Sequence, residues 1–202
     1  MSWRAESTGL GKMLPEPVFV TAKVTAALEQ LGIPYFIGGS LASTLHGMVR
    51  TTQDSDIVAA MTAKDIPPFL QALQGEFFMD GELIAEAVAR RASFNIIHRE
   101  SAFKVDVFIP SERPFIKKQF ARARMETLSA DPEVRAMVAT AEDTLLAKLE
   151  WYRMGGEQSE HQWRDVLGVL KVQAGTLDLE YLRTTAGELK VEDLLERALN
   201  ET

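Results

Sequence analysis

The sequence predicts an α/β protein, of the α+β type, in which helices flank a mixed β-sheet and a helical portion follows. Short apolar segments typical of strands alternate with amphipathic segments up to about residue 140. From residue 141 onward the spacing of apolar residues is helical throughout. A glycine-rich turn and an aspartate pair stand just before an apolar strand. We therefore expect an α/β core over residues 1–140 and a C-terminal helical portion over 141–202, packed on that core.

The composition narrows the class of protein. The chain has 202 residues, a net charge of −7 and no cysteine. Without cysteine there are no disulfides or thiolate metal sites, which fits a cytoplasmic protein. We find no apolar run long enough for a transmembrane helix and no secretory signal, so no membrane association is expected. A net negative charge argues against an extended nucleic-acid surface. The local basic clusters of the chain are better explained as part of a solvated, charged face.

The first elements are predicted from the spacing of apolar residues and from the cap and glycine residues that begin or end a helix. Residues 1–14 are expected to be irregular. Ser40 suits the N-cap of a helix over "LASTLHGM", and Thr62 suits the cap of the helix after the aspartate strand. The predicted elements are a helix at 17–31 closed by Gly32, a strand at 34–37, a helix at 41–48, a strand at 54–61 and a helix at 63–74.

The remaining elements follow the same reasoning. They are a helix at 82–91, strands at 93–99 and 103–109, a helix at 113–121, strands at 124–129 and 134–140, and helices from 141 to the end. In the helical portion, Leu145, Leu149 and Tyr152 recur at helical spacing. We predict that Tyr152, Trp151 and Trp163 belong to the hydrophobic core.

Three aspartates are candidates for one site. Side chains alternate along a strand, so Asp54 and Asp56 share one face of "DSDIVAAM". Asp106 is a charged residue inside the apolar strand "FKVDVFI", where it shares a face with Lys104. If the two strands are neighbours, the three carboxylates meet. Such a cluster is tolerable when a divalent cation neutralises it, and Mg²⁺ accepts carboxylate oxygens, water and substrate phosphates.

The turn Gly38-Gly39-Ser40 supplies the complementary half of such a site. Glycines let the backbone approach a ligand closely, and the N–H groups at a helix start favour an anion. An anion-binding turn before an acid pair suits phosphoryl or nucleotidyl transfer, in which two metal ions hold the attacking and the leaving oxygen. Taken singly, a Gly-Gly turn is usually structural and a D-x-D pair is usually a solvated strand end. The ordered set is more specific, and the chain has neither a nucleophile elbow nor a P-loop sequence.

The ordered motifs resemble the nucleotidyltransferase superfamily with its polymerase-beta-like fold. "GGSLASTLHG", "RTTQDSDI" and "KVD" are similar to the bacterial minimal nucleotidyltransferases grouped with AbiEii-type toxins of toxin–antitoxin systems. "EDTLLAKLEWYR" and "QWRDVLGVL" resemble the lysine-bearing and arginine–aspartate helices of that group. Gly168 stands where the toxin-like proteins often carry a further aspartate, which counts against a toxin role more than against the transferase core.

The resemblance implies a role for each matching residue. Asp54, Asp56 and Asp106 would be the catalytic residues and the ligands of two Mg²⁺ ions, with Mn²⁺ as an alternative, and Asp106 would also orient or deprotonate the acceptor hydroxyl. The implied nucleotide-binding residues are Gly38, Gly39, Ser40, Arg50, Lys104 and Lys148. The implied partners are an NTP, a hydroxyl acceptor such as a transfer RNA end, a protein or a small molecule, and a cognate antitoxin.

Some of these residues, and others near them, also have a purely structural explanation. Lys148 is equally well read as a solvated lysine beside an apolar face. Asp165 and Arg164 are better explained by pairing with a neighbouring helix, and His46 by packing. A catalytically inactive nucleotide-binding or partner-binding module of the same fold is the second function hypothesis. All three aspartates and the glycine turn are present, which favours the enzyme.

Overall fold

The computed structural model describes residues 14–48 and 52–202. The helices are Glu16–Gln30 (α1), Gly39–His46 (α2), Ile66–Leu73 (α3), Gly81–Arg90 (α4), Pro114–Arg122 (α5), Ala141–Met154 (α6), Glu160–Val172 (α7), Leu179–Leu189 (α8) and Glu192–Asn200 (α9). The strands are Tyr35–Ile37 (β1), Asp54–Ala59 (β2), Phe77–Phe78 (β3), Ser93–His98 (β4), Lys104–Phe108 (β5), Arg124–Ala130 (β6) and Glu133–Val138 (β7). The predicted mixed sheet with flanking helices is confirmed.

The seven strands form one sheet in the order β3-β4-β5-β2-β1-β7-β6. Strand β2 pairs in parallel with β5 and antiparallel with β1, so the sheet is mixed at its centre. Strand β7 runs parallel to β1, and β4 runs antiparallel to β5. The two aspartate-bearing strands are therefore central neighbours, as the site requires.

Two faces of β2 have opposite environments. Ile57 and Ala59 are buried in the same hydrophobic cluster as Val105 and Val107 of β5. Asp54 and Asp56 point to the other face, where their side chains are half-buried. The period-two alternation of the strand thus separates the core from the candidate site.

The C-terminal helices have a hydrophobic cluster of their own. Leu145, Leu149 and Tyr152 of α6 pack in it with Trp163 of α7. Helix α2 contacts both α6 and α7, which joins the helices to the sheet beside the glycine turn. Within the described residues, no helix combines the length and the apolar character needed to span a bilayer.

Two local predictions were wrong, and one strand was not predicted. Ser40 does not cap α2: the helix begins at Gly39 with Gly38 as its N-cap, so Ser40 lies in the first turn. Strand β3 was missed because two residues carry no readable alternation. Trp151 is 53% exposed and not part of the core, whereas Tyr152 and Trp163 are buried as predicted.

Candidate active site

The register between β2 and β5 brings the aspartates together. Asp56 stands opposite Asp106, and Asp54 stands opposite Lys104. Residues paired across neighbouring strands project from the same face of the sheet, so Asp54, Asp56 and Asp106 share it with Lys104. Asn95 of β4 stands opposite Asp106 on the far side and is exposed. Asn95 was not among the predicted site residues, although the alternation of "SFNIIH" places it on a polar face.

The glycine turn is fitted against Asp56. Gly38 N–H donates to the backbone oxygen of Asp56 at 2.9 Å, and Ser40 N–H lies 3.4 Å from Asp56 Oδ2. Gly39 has φ +52°, and a Cβ at this position would lie 1.7 Å from Asp56 Oδ2. Only a residue without a side chain fits there, because both the backbone conformation and the space exclude one.

The environment of Asp56 disfavours its charge. Burial raises the pKa of Asp56, and the neighbouring charge of Asp54 raises it further, as does that of Asp106. The N–H of Ser40 and the amine of Lys148 act in the opposite direction but do not cancel the rise in its pKa. A positively charged ligand would relieve the repulsion between these neighbouring carboxylates.

Lys104 is paired with Asp106. Its Nζ lies 2.7 Å from Asp106 Oδ2. The hydrogen bond to Asp106 is the main cause that raises the pKa of Lys104, and the charges of Asp54 and Asp56 add to it. A lysine on the same face as the three carboxylates therefore partly balances their charge.

Lys148 of α6 reaches the site from the helical portion. Its Nζ lies 2.7 Å from Asp165 Oδ2 on α7, and the two side chains are only 12% and 8% exposed. Ser43 Oγ of α2 lies 3.4 Å from the same oxygen. The prediction of pairing with a neighbouring helix is confirmed for Asp165. It is wrong for Arg164, whose Nε donates to the backbone oxygen of Glu160 on its own helix at 3.4 Å. The interpretation of Lys148 as a solvated lysine is wrong, because its amine is enclosed in this network.

We expect the Lys148–Asp165 pair to show strong coupling in a double-mutant cycle. Lys148→Met leaves the enclosed carboxylate of Asp165 without its cation, which should lower the free energy of unfolding by about 1–3 kcal/mol. The double variant Lys148→Met/Asp165→Leu removes both charges and should recover at least about 1 kcal/mol of that loss. Urea unfolding of the four proteins measures the coupling.

The control for that cycle is the exposed pair of Arg153 and Asp193, joined at 2.6 Å. Because solvent screens exposed pairs, Arg153→Met should have a much smaller effect on stability than Lys148→Met. Additive losses at Lys148 and Asp165 would contradict the role assigned to their contact.

The outcomes for three further residues, Arg50, His46 and Gly168, follow. Arg50 lies outside the described residues. His46 is buried, and its Nε2 lies 2.7 Å from the backbone oxygen of Ala139. The packing interpretation of His46 is confirmed. Gly168 lies on α7 with its Cα facing the backbone of Met48, so an aspartate there would meet the end of α2.

The carboxylates fit a divalent cation by type and by charge. Three oxygen donors lie on one face of two paired strands, and the like charges around Asp56 raise its pKa. With the side chains as they stand, no three acidic or histidine residues of 14–48 and 52–202 are close enough to hold a metal ion together.

Comparisons with known proteins bear on the fold. No protein-family model and no curated protein matches the sequence. Among solved structures, an antigenic nucleotidyltransferase-like protein from Paracoccidioides brasiliensis is similar with a TM-score of 0.55, at 18% identity over 92% of each chain. ANT(2'')-Ia in complex with adenylyl-2''-tobramycin is similar with a TM-score of 0.55, at 12% identity over 86% of this chain and 96% of that one.

A third similar structure is the lincomycin-bound lincosamide antibiotic adenylyltransferase LnuA. Its TM-score is 0.50 and its identity 13%, over 79% of this chain and 98% of that one. At these identities the likeness concerns the fold. The chain has a nucleotidyltransferase-like fold, with Asp54, Asp56 and Asp106 together on one face of its sheet.

Proposed function

We propose that the protein is a nucleotidyltransferase that moves a nucleoside monophosphate from an NTP to a hydroxyl and releases pyrophosphate. One observation carries the proposal: the β2–β5 register sets Asp56 opposite Asp106, while Gly39 is packed against the carboxylate of Asp56. The glycine turn is thus in direct contact with Asp56 of the acid cluster, which is formed by Asp54, Asp56 and Asp106. The similar folds of two antibiotic adenylyltransferases support the same reaction class.

The nucleotide would lie between the turn and the helical portion. The N–H groups at the start of α2, with the hydroxyl of Ser40, would bind phosphate oxygens. Lys148, and Arg50 before β2, would bring positive charge to the same phosphates. Lys148 is suited to this because Asp165 holds its amine beside the acid cluster. Lys104 would share the charge of the triphosphate after leaving Asp106.

Asp54, Asp56 and Asp106 would hold two Mg²⁺ ions, or Mn²⁺ in their place. Bound there, the ions supply charge stabilisation for the attacking and leaving oxygens of an in-line displacement. Asp106 lies opposite Asn95 of β4, whose side chain is exposed. Its carboxylate would orient the acceptor hydroxyl and receive its proton.

The acceptor in this proposal is a hydroxyl of a small molecule, a transfer RNA end or a protein side chain. Two similar structures contain a bound or adenylylated antibiotic, which supports a small molecule. The AbiEii-like motifs support an alternative as a toxin with a cognate antitoxin, although Gly168 replaces the further aspartate. The lack of cysteine supports a cytoplasmic site of action.

A catalytically inactive module of the same fold is the second candidate. The observation that favours it is the ion pair between Lys104 and Asp106, which neutralises one carboxylate without a metal. Such a module would bind a nucleotide or a partner protein and transfer nothing.

Calorimetry of NTP binding with and without Mg²⁺ tests the proposal. We expect Mg²⁺-dependent binding to the wild type and its loss in Asp54→Asn/Asp56→Asn. Asp80→Asn is the matched control, because Asp80 caps α4 by accepting from Glu82 N–H and asparagine is also a good cap. A well-folded wild type that binds no NTP would exclude the transferase. Mg²⁺-dependent binding without pyrophosphate release across a labelled-NTP acceptor screen would favour the inactive module.

A further inference from the structure

The two described tryptophans of the helical portion have opposite environments. Trp163 has partners on all sides. Its Nε1 donates to Glu201 Oε2 at 2.9 Å, and its ring centroid lies 5.2 Å from that of Tyr152. The guanidinium carbon of Arg197 lies 4.2 Å from the ring centroid of Trp163. Trp151 is 53% exposed, and its indole makes no hydrogen bond, ring contact or cation contact with any described residue. Covering an exposed indole with a flat ligand removes apolar surface from water, which is favourable.

Trp151 lies close to the candidate site along α6. It follows Lys148 by three residues, which places the two side chains on the same side of the helix, about 4.5 Å apart along its axis. The amine of Lys148 pairs with Asp165 of α7, and its charge lowers the pKa of Asp56 in the acid cluster. Met154, 68% exposed, continues the apolar surface by a further turn. The exposed indole therefore adjoins the place assigned to the triphosphate.

We propose that Trp151 is the stacking platform for the nucleobase of the bound NTP. The inference rests on the proposed function and adds the base subsite to it. A nucleotide whose phosphates lie at Lys148 has its base at the other end of the molecule, and the next turn of α6 offers a flat aromatic surface there. Stacking on an aromatic ring accepts any base, because each base has a π-face.

The platform implies a substrate preference. No described residue is hydrogen-bonded to the indole. Selectivity then comes from the stacked area, which is larger for the two-ring purines. We expect ATP and GTP to bind more tightly than CTP and UTP.

The test compares a nucleotide with a probe that lacks a base. Binding of ATP and of inorganic tripolyphosphate is measured by calorimetry with Mg²⁺, for wild type, Trp151→Ala and Trp151→Phe. We expect Trp151→Ala to raise the Kd for ATP about 5- to 100-fold. The Kd for tripolyphosphate should stay within about twofold. Trp151→Phe, which keeps a ring, should stay within about fivefold of wild type for ATP.

Leu179→Ala is the control for loss of exposed apolar surface elsewhere, since Leu179 is 43% exposed at the start of α8. Its affinity for ATP should equal that of the wild type. Quenching of tryptophan fluorescence by ATP should also disappear in Trp151→Phe.

Each remaining outcome overturns the inference. Equal ATP affinity in wild type and Trp151→Ala would remove the base subsite and leave the proposed function intact. A parallel loss of tripolyphosphate binding would show that Trp151 acts on the phosphates. A wild type that binds neither probe would remove the proposed function together with the inference. A dimer that dissociates in Trp151→Ala, with ATP affinity unchanged, would assign the patch to a second copy of the chain.

Discussion

Asp56→Asn should stabilise the folded protein while it removes transfer activity. Burial, with the charges of Asp54 and Asp106, raises the pKa of Asp56 above its ordinary value of 3.8. Ionised Asp56 therefore weakens the fold, and asparagine retains an oxygen that can accept from Ser40 N–H. We expect a rise in Tm of about 2–4 °C at pH 7, which corresponds to about 1 kcal/mol in a chain of this size. Transfer should fall at least about 100-fold, because a carboxylate of the acid cluster is lost.

The sign of the pH dependence follows from the raised pKa. The contribution of Asp56 to stability is fully present below its unfolded pKa and is lost as the pH rises through its folded pKa. The Tm of the wild type should therefore approach that of Asp56→Asn near pH 3.5 and fall below it as the pH increases to 7. Thermal unfolding at a series of pH values measures the difference.

Asp65→Asn is a control of opposite sign. The hydrogen bond from the Thr62 hydroxyl, at 2.6 Å, lowers the pKa of Asp65, so its charged form is the favoured one in the fold. Its contribution is present above the unfolded pKa and is lost as the pH falls through the folded pKa. Asp65→Asn should lower the Tm at pH 7. A lower Tm for Asp56→Asn at pH 7 would show that the carboxylates are not crowded.

Gly39→Ala should inactivate and destabilise the protein together. The new Cβ would lie 1.7 Å from Asp56 Oδ2 and 2.8 Å from Asp56 Cβ, so the carboxylate must move. The φ of +52° adds strain for any residue with a side chain. We expect a loss of about 1–3 kcal/mol in the free energy of unfolding. Transfer activity should fall as far as in Asp56→Asn.

Gly38→Ala is the matched control one residue earlier. Gly38 has φ −120°, and a Cβ there would lie 3.9 Å from the ring of Phe36, an ordinary contact. Its N–H, which donates to Asp56, is kept by alanine. Stability should change by less than about 0.5 kcal/mol. Equal effects at positions 38 and 39 would show that the fit of Gly39 to Asp56 is not the cause.

The strand faces of the site were predictable, and their register was not. Alternation in "DSDIVAAM" places Asp54 and Asp56 on one face, because it depends only on local geometry. The pairing of Asp56 with Asp106 depends on strands about 50 residues apart in sequence. The sequence therefore predicted it only if the two strands are neighbours, and the observed register shows that they are. The start of α2 was misplaced for a related reason: Ser40 is a good cap by propensity, but its N–H points to the carboxylate of a distant strand.

The helical spacing of Leu145 and Leu149 includes Tyr152 and leaves out Trp151, so the prediction that Trp151 is a core residue rested on its aromatic side chain alone. Trp151 and Tyr152 are adjacent in sequence. The burial of each side chain depends on α7, because Trp163 of α7 packs against the ring of Tyr152 while Trp151 stays exposed. The sequence predicted that Asp165 pairs with a neighbouring helix but did not identify Lys148 as its partner. The packing of α6 against α7 decides which charged side chains meet.

The close approach of α2 and α7 has a consequence for how such a chain can diversify. A Cβ on Gly47 would lie 2.8 Å from the oxygen of Ser43 and 3.0 Å from the nitrogen of Val169, so backbone meets backbone there. Gly168 lies in the same contact, where its Cβ would be 3.5 Å from the nitrogen of Met48. A helical portion grafted from another protein would have to pack against an unsubstituted Gly47 at the same distance, because a Cβ there would clash with backbone atoms. Otherwise its lysine would be displaced from the acids, however well the graft folded by itself.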